Sequence, residues 1–388
     1  MKNKCLGLTI SYVKKSNQRM ILEYVFNSTS TSRTELSKKL SLSKPAISDN
    51  LEGLLELGVV LETGAGEASR KGGRKPSLLQ FNFNYRYVIA IDLNYSNPVF
   101  VLANLKGDIL REFTIRVSAN ASQEDCVELI ENSINILINA SGVYMKDIFC
   151  IAIASPGVFD SDGVLRGQNQ SYGGVSWSSM GLKTILEERF KTYVMIRNDI
   201  MAATIGEWSS GTGCGLDNLI YVSCGIGLGS GIILNGQLYE GSRFSAGQLY
   251  SYTDTEKLPR GVNIENTVCI NRLISNIKDK TGRELTFDEI KALYTAKDAS
   301  VCDEVERICR ELCPMILNLA CFLAVDTVIF GGEYAVFGDR LVQIYGEAIR
   351  EMPDAPEVKV TQNEYSGICG MIYAAREKCF DVLCTPHE

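Results

Sequence analysis

The chain has 388 residues, 45% of them hydrophobic and 22% charged, and its formal net charge is −7. Such a composition is typical of a globular protein with two or three domains, and no apolar run in the sequence is long enough to span a membrane. The single histidine, His387, lies beside the C-terminus, which argues against Ser/His/Asp triads and histidine-rich metal sites.

Thirteen cysteines occur without a CxxC pair, and the first residues contain neither a long apolar stretch nor a small-residue cleavage site. We therefore expect a cytoplasmic protein whose thiols are reduced and mostly buried. Cys309 and Cys313 are one helical turn apart, and core packing is their simplest interpretation.

Charge is divided unevenly along the chain. Residues 1–80 contain 13 Lys/Arg and 7 Asp/Glu, a net of +6, whereas the remaining residues carry a net of −13. A basic head on an acidic body indicates a polyanionic partner for the head alone.

The head begins with helical spacing of apolar residues over 17–27, followed by a short helix that Thr31 or Ser32 can cap and that ends near Leu40. A third helix is predicted over about 44–57, after the tight turn at 41–43. Two short helices joined by such a turn are typical of a helix-turn-helix unit. The second helix would present its capping turn and first polar residues to the major groove, namely Ser43, Lys44, Pro45, Ser48, Asp49 and Asn50.

Two extended segments, Val59–Thr63 and Ser77–Asn82, flank a glycine-rich connection and predict a β-hairpin wing. A solvated linker is the alternative for this connection taken alone. Next to a helix-turn-helix unit, its cations are better explained as contacts to phosphates or to a minor groove. These cations are Arg70, Lys71, Arg74 and Lys75.

In the acidic body, residues 86–105 predict two strands around a turn, and a third strand is expected around 111–117. A helix is expected over about 122–141, and further strands end at a Pro-Gly turn, at Asn198–Asp199 and at glycine-rich turns. Strand meanders that alternate with helices predict an α/β fold whose strand-end loops form the site.

The motifs GGRKP, ASPGVFD, NDIMAATIGE, CGIGLGSGIILNGQLYEG and VIFGGE occur in the order found in the ROK family of repressors, open reading frames and kinases. The head resembles that of the family's xylose and N-acetylglucosamine repressors. The resemblance implies a winged helix-turn-helix domain over 1–82. It also implies a two-lobed actin-like, sugar-kinase (ribonuclease H-like) body over 86–388, with a ligand between the lobes.

Three glycine-rich turns would hold ATP in a kinase of this family. In the first turn, Asn94 replaces the family's glycine and Tyr95 adds bulk beside it. The second turn is well kept and includes Gly225, Gly227 and Gly229, although tight β-turns use the same glycines. The third turn reads Gly331-Gly332-Glu333, which places a carboxylate where an anionic ligand would lie. Two impaired turns argue against efficient use of ATP.

Asp199 matches the family's general base. A carboxylate there can accept a proton from a sugar hydroxyl during phosphoryl transfer, or a hydrogen bond from a sugar that is merely bound. Alternatively, Asn198 and Asp199 cap the helix that begins there.

The resemblance fails at the family's zinc site. Gln248 replaces the glutamate of its AGE motif, Ser251 replaces the ligand histidine, and no cysteine lies between Cys224 and Cys269. No metal and no other cofactor is therefore expected. Gln248 and Glu265 keep hydrogen-bonding capacity where the family contacts sugar hydroxyls, with ordinary surface polarity as the alternative. Asn169 and Trp177 are further candidate effector contacts.

These features predict a transcriptional regulator, a homodimer or a higher homo-oligomer, that binds operator DNA with its head and a sugar-like effector in its body, with no membrane association. The alternatives are an ATP-dependent sugar kinase with an appended DNA-binding head, and an architectural DNA-binding protein without a ligand.

Overall fold

The computed structural model describes residues 10–65, 77–93, 97–118, 120–166, 175–249, 263–352 and 354–385. Their strands form one three-stranded sheet near the N-terminus and two five-stranded sheets. Within these ranges, every helix is too short or too polar to cross a lipid bilayer.

The head contains three helices and three short strands: α1 (Ile10–Phe26), β1 (Thr31–Ser32), α2 (Arg33–Leu40), α3 (Lys44–Glu56), β2 (Val60–Ala65) and β3 (Ser77–Phe81). Helix α1 begins seven residues before the predicted helical stretch. The other two helices begin and end close to their predicted bounds.

Serine N-caps determine where the two helices of the helix-turn-helix begin. The Ser43 hydroxyl accepts a hydrogen bond from the Ala46 amide at 3.3 Å, and Ser32 accepts one from the Glu35 amide at 3.3 Å. Ser41 adopts a left-handed conformation with φ 54° and ends α2. The Glu35 carboxylate accepts a hydrogen bond from the Thr31 hydroxyl, so only one of the two contacts of a capping box forms at Ser32.

The wing is antiparallel. Strand β3 pairs with β2 on one side and with β1 on the other, which gives the order β1-β3-β2. The connection between β2 and β3, with Arg70, Lys71, Arg74 and Lys75, lies outside the described residues.

The first lobe is an open sheet in the order β6-β5-β4-β7-β8, with β4, β7 and β8 parallel. Its third strand ends at Thr114, three residues before the predicted end. The elements of this lobe are β4 (Tyr87–Asp92), β5 (Val99–Asn104), β6 (Ile109–Thr114), α4 (Gln123–Ser141), β7 (Ile148–Ser155), α5 (Leu182–Phe190) and β8 (Tyr193–Asn198).

The second lobe has a sheet in the order β11-β10-β9-β12-β13, with β9, β12 and β13 parallel. Its strands are β9 (Leu219–Cys224), β10 (Leu228–Leu234), β11 (Gln237–Leu238), β12 (Thr327–Gly331) and β13 (Glu357–Val360). The helices from the lobe junction onward are α6 (Asp199–Ser210), α7 (Glu265–Val268), α8 (Ile270–Thr281), α9 (Phe287–Thr295), α10 (Ala299–Leu323), α11 (Gly338–Ala348) and α12 (Ser366–Leu383). Two such lobes behind a winged helix-turn-helix confirm the predicted fold class.

Helices α6 and α12 cross between the lobes with their backbones in contact. A Cβ on Gly206 would lie 1.9 Å from the Ser366 carbonyl oxygen, and one on Gly370 would lie 1.8 Å from that of Ala202. The buried Glu207 carboxylate reinforces the crossing because it accepts hydrogen bonds from the hydroxyls of Ser366 and Thr361.

One hydrophobic cluster runs from the head into the body. It includes Ile21, Leu36 and Leu51 of the head, Val88 of the first lobe and Phe380 of α12. The head is therefore packed against the body and shares its core. Cys309 and Cys313 lie in the core of the second lobe as free thiols.

Candidate functional site: the interlobe cleft and the DNA-facing helix

A cleft of about 570 Å³ opens between the lobes, and strand ends and helix starts supply its walls. Asp92 ends β4, Asp199 begins α6, Glu333 follows β12, and Ser366–Gly367 begin α12. Parallel strands of both sheets end here, as expected for a ligand site in an open α/β fold.

The structure separates the roles of Asn198 and Asp199. The Asn198 side-chain oxygen accepts hydrogen bonds from the amides of Ile200 and Met201, both at 3.1 Å, and its nitrogen donates to the Gly157 carbonyl. Its polar atoms are thus used within the protein, which supports the capping interpretation for Asn198. Asp199 lines the cleft, with one oxygen accepting from the Ile200 amide at 2.9 Å.

Asp92 reaches the cleft from the end of β4, in the same sheet as the strand that leads to Asp199. Its Oδ2 lies 2.5 Å from the position that a Cβ on Gly367 would occupy, so the carboxylate rests against the first turn of α12.

Several carboxylates face one another across the cleft. Burial, together with the nearby charges of Asp199 and Glu333, raises the pKa of Asp92 to about 7. Burial raises the pKa of Asp199 as well, and because the hydrogen bond from the Ile200 amide offsets part of this effect, the result is about 6. Burial likewise raises the pKa of Glu333. Lys, Arg and His are absent from the described residues that line this cleft.

The second glycine-rich turn is occupied by the chain's own carboxylates. Glu333 Oε2 accepts a hydrogen bond from the Ile226 amide at 3.3 Å, and the buried Glu265 accepts one from the Leu228 amide at 2.9 Å. Glu265 was expected to contact the effector, and the structure instead gives one of its oxygens a role in holding this turn. Gly227 lines the cleft. A Cβ on Gly229 would lie 2.4 Å from Ile200, so that glycine is needed for packing against α6.

Among the remaining predicted effector residues, the two that the structure describes, Gln248 and Trp177, do not line the cleft. Gln248 lines a second, mainly apolar cavity of about 370 Å³ together with Leu319 and Leu323. Trp177 is only 2% exposed and lies in the core of the first lobe, so its prediction as a contact was wrong for this conformation. Asn169 lies outside the described residues, as do Asn94, Tyr95 and Ser251.

The predicted DNA-facing side chains of α3 are exposed, with one exception. Asn50 is 5% exposed, and its amide donates to the Ala46 carbonyl at 2.8 Å, so its prediction as a groove contact was wrong. It lies next to Leu51 on the side of the helix that faces the core. The exposed set consists of Ser43, Lys44, Pro45, Ser48 and Asp49.

Sequence reasoning missed the contribution of the segment before α12. Thr361, Asn363 and Ser366 line the cleft, and Thr361 and Ser366 also bind Glu207 on α6. Their positions in the sequence could have indicated this role, because they lie in the loop between the last strand and the last helix, where strand-end loops form the site.

Comparisons with known proteins agree with this architecture. A putative xylose repressor from Caldicellulosiruptor sp. strain Rt8B.4 is 29% identical over 352 residues, which is 85% of this chain and 86% of that protein. The solved structure of a ROK family transcriptional regulator, a homologue of the E. coli Mlc protein, matches with a TM-score of 0.80 at 19% identity. That match covers 96% of this chain and 98% of that one.

A ROK family glucokinase from Streptomyces griseus, solved with glucose and AMPPNP, matches with a TM-score of 0.63 at 20% identity. It covers 75% of this chain and 99% of its own. The body therefore has the fold of a sugar kinase. The sequence model of the ROK family matches residues 88–378, which is most of the two-lobed body. The chain belongs to the ROK family.

Proposed function

We propose that this protein is a DNA-binding transcriptional repressor of carbohydrate genes that responds to a sugar or sugar derivative in the interlobe cleft. The head supplies an exposed helix-turn-helix surface, and the body supplies a cleft rich in hydrogen-bond acceptors for hydroxyl groups. Several relatives are named xylose repressors, which favours a sugar as the effector.

The observation that carries this proposal is the course of α12. Ser366 and Gly367 at its start line the cleft, and its last turns pack against the head. The helix has 18 residues and spans about 27 Å. A ligand that moves the start of α12 therefore moves the surface on which the DNA-binding head rests.

Aromatic packing joins the end of α12 to the head. The Phe380 ring lies 5.4 Å from Phe26 of α1 and 5.6 Å from Phe81 of the wing. Arg376 lies over the Phe26 ring at 4.5 Å. These contacts are worth about 0.5–1.5 kcal/mol each beyond their buried area, enough to transmit a displacement of the helix to the head.

An ion pair strengthens the same junction. The Arg19 guanidinium on α1 pairs with the carboxylates of Glu377 and Asp381 and donates to the Glu377 carbonyl at 3.2 Å. Arg19 also lies over the Phe380 ring at 5.1 Å. These contacts hold the head at a fixed angle to the body. In a dimer, a ligand-dependent change in that angle would alter the distance between the two DNA-binding heads.

We propose that the protein acts as a cytoplasmic homodimer, because two-fold operators are matched by two-fold proteins. The described cysteines are free thiols, which fits a reducing compartment. Ligand coupling of about 1–3 kcal/mol would change operator occupancy several-fold.

The experiment begins with thermal melts across a panel of neutral pentoses and hexoses, because a ligand that binds the folded state raises its melting temperature. Binding to duplexes from the region upstream of its own gene is then measured with and without the stabilising sugar. Asp199→Ala should abolish the response to the sugar and keep the DNA affinity that is seen without it. Loss of DNA binding in that variant as well would point to misfolding.

Paired substitution of Arg74 and Lys75 by alanine should weaken DNA binding and flatten its salt dependence. Unchanged affinity and slope would count against a DNA-contacting wing.

A sugar kinase is the second candidate, because Asp199 faces the cleft and the kinase structures share its fold. We propose that the protein is not an enzyme, since a carboxylate rests on the turn that would meet a phosphate. An assay for ATP-dependent phosphorylation of the same sugars separates the two candidates, and turnover near about 1 s⁻¹ would establish the kinase.

A further inference from the structure

The turn between β9 and β10 alternates glycines with Ile226 and Leu228, and backbone amides that converge at a glycine-rich turn can bind an anion. A phosphate would bind such a turn through its amide hydrogens. Here the Ile226 amide already donates to Glu333, and the Leu228 amide already donates to Glu265. Two donors of this turn are therefore engaged by carboxylates of the same chain.

Glu333 fills the space that a glycine leaves open. A Cβ on Gly225 would lie 1.9 Å from Glu333 Oε2 and 2.8 Å from its carboxyl carbon. The carboxyl group thus occupies the space directly beside Gly225, within hydrogen-bonding distance of the Ile226 amide. An approaching phosphate would meet carboxyl oxygens, which are themselves hydrogen-bond acceptors, in place of a free Ile226 amide.

The backbone that carries Glu333 is fixed. Gly332 has φ +79°, and a Cβ on it would lie 2.5 Å from the Cys224 carbonyl oxygen. A Cβ on Gly331 would lie 2.3 Å from the Tyr221 hydroxyl. Because both residues lack a side chain, the end of β12 lies in close contact with β9. The next residue, Glu333, is thereby placed on the turn at Gly225–Ile226.

We propose that the Glu333 carboxyl group occupies the anion-binding position of the turn between β9 and β10 and makes the cleft select uncharged ligands. Sugar phosphates and nucleotides are disfavoured because Asp92 and Asp199 place further carboxyl groups nearby and no Lys, Arg or His is among the described residues that line the cleft. Neutral sugars, which donate hydrogen bonds to carboxylates, are favoured. This inference rests on the proposed function in taking the cleft as the effector site.

The test measures binding of Mg-ADP by calorimetry to the full-length wild-type protein and to three variants, without DNA or sugar. Glu333→Ala removes both the charge and the bulk from the turn, and Glu333→Gln removes the charge while keeping the size. Glu364→Ala is the matched control, because Glu364 lines the same cleft, has an exposed side chain and makes no hydrogen bond to this turn in the structure.

We expect Mg-ADP to bind Glu333→Ala about tenfold or more tightly than wild type, and Glu333→Gln to show an intermediate gain. The control variant should show a smaller gain than either. The proposal would be overturned if folded Glu333→Ala bound Mg-ADP no more tightly than wild type, or if neither folded Glu333 variant gained affinity. It would also be overturned if Glu364→Ala gained as much affinity for Mg-ADP as Glu333→Ala. Because neither DNA nor sugar is present, such a failure would leave the proposed repressor function to be judged by its own experiment.

Discussion

Gly206 of α6 and Gly370 of α12 meet where the two helices cross, and a Cβ on Gly370 would lie 2.9 Å from the Gly206 amide nitrogen. Because neither residue has a side chain, the two backbones touch without an intervening layer. Helix α6 begins at Asp199 in the cleft, and α12 ends at the head. We therefore expect a ligand that displaces α6 to displace α12 as well.

Substitution of Gly370 by alanine should separate the two helices. The new methyl group would lie 1.8 Å from the Ala202 carbonyl oxygen, so the crossing must open at a cost of about 1–3 kcal/mol in unfolding free energy. We expect a lower melting temperature and a reduced effect of the sugar on DNA affinity. Gly346→Ala on α11 is the control, since a Cβ there has no neighbour within 4 Å. A folded Gly370→Ala protein with a full sugar response would contradict a role of this crossing in coupling.

The Arg19–Glu377 pair should contribute to the docking of the head. A double-mutant cycle with Arg19→Ala and Glu377→Ala is expected to give an interaction energy of about 0.5–1 kcal/mol, because both side chains are partly exposed. The single Arg19 variant should still occupy the DNA fully at saturating protein, but the sugar should change its DNA binding less than it does in wild type. An interaction energy of zero, measured by urea unfolding, would show that the pair does not hold the head.

The pH dependence of stability should reflect Asp92. Its pKa is raised to about 7 in the folded protein, whereas an unfolded aspartate titrates near 4, so the folded state binds more protons between these values. Stability therefore falls as pH rises through this window. Asp92→Asn should equal wild type near pH 4 and exceed it by about 3–4 kcal/mol at pH 8, because a shift of about three pKa units is worth about 1.4 kcal/mol per unit.

The measurement for Asp92 is urea unfolding at each pH, with Asp303→Asn on the exposed surface of α10 as the control. A constant difference between Asp92→Asn and wild type from pH 4 to pH 8 would contradict the raised pKa. Because Asp199 and Glu333 share the cleft, part of the wild-type slope should persist in the variant.

Lys44 in the first turn of α3 is exposed and is expected to contact DNA phosphate. Lys44→Ala should weaken binding about equally for specific and nonspecific duplexes, and it should reduce the salt slope of log K by about 1. Lys146, exposed on the body, supplies the matched control. If the Lys146 variant lost as much affinity as the Lys44 variant, the assigned DNA face would be wrong.

The sequence predicted those parts of the molecule that local rules determine. The start of α3 follows from the Ser43 cap and from Pro45 in the first turn, and the position of Asp199 at a strand-to-helix junction follows from the hydrophobic pattern around it. Asn50 was misjudged because a single polar residue does not reveal how far the core wraps around a short helix.

Contacts between distant segments could not be predicted in the same way. Glu333 meets the Ile226 amide across 107 positions of the sequence, and Glu265 meets the Leu228 amide across 37. Only the packing of the second lobe brings these groups together. The connection between the cleft and the head likewise depends on where α12 packs. The local sequence of this helix predicts a helix but does not reveal which distant segments it contacts.

The most direct test of this account is the dissociation constant for a duplex from the protein's own upstream region, measured by fluorescence anisotropy with and without a stabilising neutral sugar. We predict that the sugar changes this constant by about 5- to 150-fold in wild type and leaves it unchanged in Asp199→Ala. A wild-type protein that ignores the duplex at moderate salt, or that binds it equally well with and without every sugar in the panel, would contradict the account.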